Sequence, residues 1–223
     1  MKSQTHPPRI DSRDSPDRAA SHRSAGDAAA IESDDERELE FFSDSDLSGR
    51  DLTGLTLREC AFDGLDIDDA NLRGARFIET RLSTVHAPVL RMSRSTWRDV
   101  VLERSRLGSA ELFDTTWNAV RISSCKLGYV NLRGSRLTDV VFEDCTIDEL
   151  DLGGVTATRV AFPGSSVKTL DVTRATLKHV DLRGLDFRAV HGLEGLAGAT
   201  VNEFQVTELA ALFAAQLGIV VEG

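Results

Sequence analysis

The chain has 223 residues with 41% hydrophobic content, enough for one sizeable core, and a net charge of −10 from 26 basic and 36 acidic side chains. That balance argues against a direct nucleic-acid ligand, because phosphate contact needs a basic face. The three cysteines, Cys60, Cys125 and Cys145, form no CxxC pair and have no histidine at zinc-like spacing, so a disulfide or zinc scaffold is not expected and a reducing cytoplasm fits best.

Residues 1–42 carry three of the five prolines (Pro7, Pro8, Pro16) among Ser, Asp, Arg and Ala, with Ile10 and Ile31 the large aliphatics before Leu39. Such a stretch buries too little apolar area to offset its ordering entropy, so it reads as a disordered tail. It has no apolar core of a signal peptide, and no run of 18 apolar residues follows, so a soluble, non-secreted protein is expected. Four lysines against 22 arginines, with abundant Ala and Gly, fit a GC-rich bacterial genome.

From Leu47 the chain repeats with a period of five. Every fifth residue from Leu47 to Phe187 is apolar, 29 in succession without insertion or deletion, including Leu52, Phe62, Phe77, Ala87, Met92, Trp97, Trp117 and Phe162. At the background composition this has odds of about 10⁻¹¹. A second column two residues earlier (Leu55, Cys60, Ala70, Ala75, Thr80 onward to Leu185) is mostly small or β-branched, and of its 29 members only Arg50 is charged. Asp or Asn precedes the central residue nine times, and Gly follows it by two places eight times, as turn formers do at corners. A period of five matches neither 3.6 nor 2, so neither an amphipathic helix nor an alternating strand accounts for it.

The units "ANLRG" at 70–74, "VNLRG" at 130–134 and "VDLRG" at 180–184 resemble the pentapeptide-repeat family. The resemblance implies an all-β, right-handed quadrilateral β-helix over residues 43–190. Each unit would form one side of a square coil and four units one turn, giving about seven coils and, at about 4.8 Å per stacked strand, a rod about 35 Å long. With 20 residues to the coil, Phe77, Trp97, Trp117 and Leu137 are expected to form one interior ladder beside small Ala75, Ser95, Thr115 and Ser135. Cys125 and Cys145 are expected to stack inside as reduced thiols. The segment 86–90, with Ala87 at the centre and Pro88 beside it, reads as a local bulge or bend.

After Phe187 the period lapses. Asn202 with Gln205 reads as a capping box, opening a helix from about Glu203 to Leu217 that ends at Gly218. Residues 191–223 are thus a helical cap with an apolar tail, and Val206, Leu209, Leu212, Phe213, Leu217, Ile219, Val220 and Val221 exceed what a cap needs. This ending resembles the C-terminal arm of mycobacterial fluoroquinolone-resistance pentapeptide proteins, which implies a homodimer.

No HExxH, GxSxG, P-loop, GxGxxG or CxxC motif occurs, so no catalytic or metal-binding residues, no cofactor and no enzymatic activity are expected. Gly192, Gly195 and Gly198 read as turn residues rather than a phosphate loop. The acidic groups Asp46, Asp66, Asp68, Asp69, Glu143, Asp144, Asp148 and Glu149 are candidates for a partner-facing surface. The expected function is a non-enzymatic scaffold presenting β-helix faces to a protein partner. The resemblance implies an alternative, a DNA mimic that binds DNA gyrase and protects it from quinolones or peptide toxins. Mimicry requires a strongly negative rod. Residues 43–189 hold 22 acidic and 20 basic side chains, a difference of only −2, which makes it the second choice.

Overall fold

A computed structural model describes residues 5–10 and 22–221. The chain winds as a parallel β-solenoid of about nine turns closed by a single C-terminal helix. Two stacks of strands alternate along the sequence. One runs Glu40–Asp46, Ala61–Asp66, Arg81–Arg91, Arg106–Glu111, Lys126–Asn131, Thr146–Asp151, Ser165–Asp171 and Leu185–His191. The other runs Glu36–Glu38, Thr56–Arg58, Arg76–Ile78, Thr96–Glu103, Thr116–Ser123, Arg136–Glu143, Thr156–Ala161, Thr176–Asp181 and Ala199–Thr200. Within each stack neighbouring strands are parallel, and the register through the repeats advances by 20 residues, as in Trp97 opposite Trp117 and Leu127 opposite Ile147. The backbone polar groups are satisfied from coil to coil, for example Leu52 N–H to the Asn71 carbonyl (2.8 Å) and Leu132 N–H to the Asp151 carbonyl (2.9 Å).

The five-residue period follows from this geometry. Each side turns its central residue and the small residue two places earlier inward, so both columns of the repeat are buried from Leu47 to Phe187 almost without exception. Phe77, Trp97 and Trp117 do form one ladder, with ring centroids 5.3 and 4.9 Å apart. A second ladder stacks Phe142 on Phe162 at 5.1 Å. The rings fit because their neighbours are small: Ser95 and Thr115 are buried beside the two tryptophans. All three cysteines are buried and unbridged, and desolvation pushes the Cys60 thiol up, in keeping with an inert interior role.

Corners fall two residues after each central residue. Among the described residues, eighteen other than glycine have positive φ, and every one lies at this corner position, including Asp34, Asp69, Asp114, Arg159 and His179. Left-handed backbone costs an L-residue about 1 kcal/mol. The bonds made by the coils above and below hold the corner in place, so the sequence needs glycine there only some of the time.

Three expectations change. The coil count is about nine rather than about seven, because turns also form outside the apolar period. Ser24–Ala25, Glu36–Glu38 and the start of Glu40–Asp46 lie within the stretch expected as a disordered tail, yet they pair with the following coil, and Ile31 and Phe42 are buried beneath it. Here the interior is filled out of register. Arg37, opposite Leu57, takes a central place and pairs with Glu40 at 2.9 Å, while Ile31 fills the core from a short 3₁₀ turn at Ala28–Ala30. The remainder of the expected tail, residues 1–4 and 11–21, lies outside the described residues. Lastly, Pro88 makes no bulge or bend. Arg81–Arg91 is one continuous strand with Ala87 fully buried against Leu107. What changes at Pro88 is the corner: Gly49 and Asp69 are left-handed, whereas the chain runs extended through Val89 into the same strand.

The tryptophans differ in one atom's fate. Trp97 Nε1 donates to Ser95 Oγ at 3.0 Å, but Thr115, the equivalent neighbour of Trp117, turns its hydroxyl to the Leu112 carbonyl at 2.8 Å, leaving Trp117 Nε1 buried without a partner. Trp97→Phe should therefore cost about 1 kcal/mol more than Trp117→Phe, as read from guanidinium unfolding midpoints. Equal losses would show that the Ser95 bond contributes nothing.

Candidate interaction surfaces

Outward side chains repeat at the coil spacing, so charge can be followed up each column. The eight acidic residues singled out in the sequence do not form one face. Asp46 and Asp66 stand in register on adjacent coils, with Asp68 and Asp69 beside them. Asp148 and Glu149 lie four coils further along the same side, about 19 Å away, and Glu143 and Asp144 belong to the side before. Most are engaged with a neighbouring coil. Asp66 meets His86 Nδ1 at 2.7 Å, Asp69 meets Arg91 at 2.5 Å, Glu143 meets Arg121 at 2.6 Å and Asp148 meets Lys168 at 2.5 Å. Asp68 accepts the Val89 N–H, and Asp46 accepts from Ser48 N, a bond that lowers the Asp46 pKa. The Lys168 ammonium likewise holds Asp148 below the usual carboxylate range. Elsewhere Arg133 bridges Asp151 (2.6 Å) and Asp171 (2.9 Å). Four of the eight acids thus meet a basic side chain one coil away.

Between the two acidic groups the same column turns basic: His86, Arg106 and Lys126 follow one another in register. An open groove of about 480 Å³ lies between His86, Pro88, Arg106 and Gly108. Its floor is bare backbone, because a Cβ at Gly108 would stand 2.2 Å from the Pro88 oxygen. The signal was in the sequence, as three bases spaced by 20 residues, but it emerges only once the coil length is known. Among the described residues no three metal-ligating side chains gather.

At the C-terminus the helix α1 spans Glu203–Gln216, one residue short of its expected end, and Gly218 follows in the left-handed conformation (φ 71°). Asn202 and Gln205 close the expected capping box: Asn202 Oδ1 accepts the Gln205 N–H and Gln205 Oε1 accepts the Asn202 N–H, both at 2.9 Å. Gln205 also does something the pattern did not reveal. Its Nε2 donates to the carbonyls of Leu182 (2.6 Å) and Leu185 (2.8 Å), sealing the last coil, while Leu209 packs into the core beside it. At the opposite end Arg50, the one charged member of the small column, donates to the Ala28 carbonyl at 3.0 Å and to that of Ile31.

Of the eight apolar residues expected as cap or dimer arm, Leu209 alone is buried. Val206, Leu212, Phe213, Leu217, Ile219, Val220 and Val221 are exposed, joined by Phe204, with Leu217 at 75% and Val220 at 81%. No helix among the described residues is long and apolar enough to cross a membrane.

Residues 42–83 match the family model for pentapeptide repeats, in 8 copies. Over these residues the chain is similar to the pentapeptide-repeat family. Among solved structures, full-length QnrB1, a plasmid-mediated fluoroquinolone resistance protein, is 19% identical over 88% of this chain and 95% of its own, with a TM-score of 0.36. HetL, a pentapeptide repeat protein involved in heterocyst differentiation regulation from the cyanobacterium Nostoc sp. strain PCC 7120, is 18% identical over 79% of this chain and 94% of its own, with a TM-score of 0.34. No curated protein matches the sequence.

Replacing Gln205 by Leu should strip the Leu185 carbonyl of its amide donor and leave the Leu182 carbonyl only the Leu185 N–H, at a cost of about 1–3 kcal/mol. Amide exchange would then quicken in the last coils while the coils around Phe62 stay unchanged. Uniform acceleration along the rod would show that the cap does not act locally.

Proposed function

We propose that this chain is a non-enzymatic scaffold that works by binding other protein surfaces, in a cytoplasmic setting where its buried thiols stay reduced. The observation that carries the proposal is the exposed apolar stretch from Phe204 to Val221, which holds eight of the nine large exposed hydrophobic residues among those described; the ninth is Phe41. A solvated surface does not retain such a patch without a partner. The interior is filled by ringed and branched side chains, which leaves the rod's flat sides and its arm as the working surfaces.

The arm's occupant is a second copy of this chain. Val206, Leu212 and Phe213 share the helix with the buried Leu209 yet are exposed, as are Leu217 just past its end and the tail from Ile219 to Val221. A C2 pairing of two arms would cover both patches at once. Replacing Leu212 and Phe213 by Glu leaves Gln205 and Leu209 in place, and should halve the mass measured by light scattering while the far-UV spectrum stays the same. A monomer in the unsubstituted protein would refute the pairing.

DNA mimicry directed at gyrase remains the second reading. Against it stands the pairing of the rod's acids with arginine, lysine or histidine one coil away, which removes the uninterrupted negative face that a duplex mimic presents. Supercoiling by gyrase, with and without a fluoroquinolone, should accordingly be unaffected by micromolar protein. Inhibition or protection would overturn this ranking.

A further inference from the structure

Residues 5–10 lie far from the first coil, against the last ones. Thr5 Oγ1 bonds Thr200 Oγ1, the His6 ring meets the His179 ring edge-on with centroids 4.5 Å apart, and the Arg9 N–H donates to Asp139 Oδ1 at 2.7 Å. His179, Arg159 and Asp139 are successive corner residues of one column, all left-handed (φ 56°, 55° and 56°). Two coil steps separate His179 from Asp139, about 10 Å, and three residues of extended chain from His6 to Arg9 cover about 10 Å. The segment therefore runs along the rod axis, across the strands, in step with the corner column.

Its seat is built from charge. Asp139 is only 7% exposed and takes a two-pronged ion pair from Arg159, with both N–O distances 2.6 Å, while Oδ1 also receives the Arg9 amide. Burial opposes ionisation of this carboxyl, but the Arg159 bonds and the Arg9 amide outweigh it and keep its pKa below the ordinary value. Pro7 and Pro8 fix the extended backbone of the segment, so little entropy is lost on docking.

We infer that the corner column Asp139–Arg159–His179, with Thr200, is a docking surface for an extended peptide, and that the chain's own segment Thr5–Ile10 is its occupant, a strap that pH holds or releases. The ring contact at His179 makes the strap sensitive to pH. The charged groups around the two rings are Lys178, Arg159 and Arg9, all cationic, and Asp139, which is already neutralised by Arg159. Desolvation and the nearby His6, Lys178 and Arg159 lower the His179 pKa from its ordinary 6.5. Lys178 and Arg159 act with or without the strap, whereas His6 arrives with it, so docking depresses the His179 pKa further; such a group stabilises the docked state above its free pKa, and that contribution is lost as pH falls. The strap is therefore held near pH 7.5 and released toward pH 5.

Amide exchange in the full chain tests this. At pH 7.5 the Arg9 amide should exchange at least about tenfold slower than in the free hexapeptide, the scale of one charge-assisted hydrogen bond. Asp139→Ala removes the acceptor and should return the Arg9 amide to the free-peptide rate while the amides of the rod core stay protected. At pH 5, after correction for intrinsic exchange, protection should fall in the unsubstituted chain, whereas His6→Glu, which offers protonated His179 a carboxylate, should keep it. Free-peptide exchange at pH 7.5, or unchanged Arg9 protection in Asp139→Ala, would overturn the docked strap. Protection that stays constant between pH 7.5 and 5 would overturn its control by His179.

Discussion

Everything in this molecule depends on coil-to-coil backbone pairing at a fixed 20-residue offset. That offset brings like positions together, so Trp97 sits on Trp117 and Phe142 on Phe162, and it turns a five-residue chemical rhythm into continuous interior ladders. The corner strain, the choice of small residues beside large ones and the ion pairs on the outside are all consequences. Each side chain faces its own counterpart one coil away.

The same rule explains the charge pattern. Parallel stacking in register brings some acids together, as with Asp46 over Asp66 and Asp151 over Asp171, and a base nearby offsets them: His86 follows Asp66 in its column, and Arg133 bridges Asp151 and Asp171. A chain with a net charge of −10 consequently has a rod whose surface is a mosaic.

How much was legible in the sequence varies by region. The fold, the tryptophan ladder, the buried cysteines and the capping box were written in local spacing, and the structure agrees with each. The first coil was hidden because an end coil needs only one packed face, so Arg37 and a 3₁₀ turn could replace the central leucines. Arg50 stood out as an exception in its column, but its task as an end cap required knowing which carbonyls lie above it. The acidic candidates failed to converge because a list of carboxylates has no side or height until the coil length is applied. The Thr5–Ile10 contacts join residues more than a hundred positions apart, beyond any spacing rule.

The unbroken run of 29 repeats also bears on how such a chain can change in length. An insertion of a single unit would turn every later side by a quarter revolution, carrying the basic column of His86, Arg106 and Lys126 onto a different flank from Asp46 and Asp66 and detaching the corner column from its strap. Gain or loss of four units would only lengthen or shorten the rod, leaving each flank aligned. Evolution along this scaffold is thus quantised: its working surfaces survive changes made in whole turns and are scrambled by anything smaller.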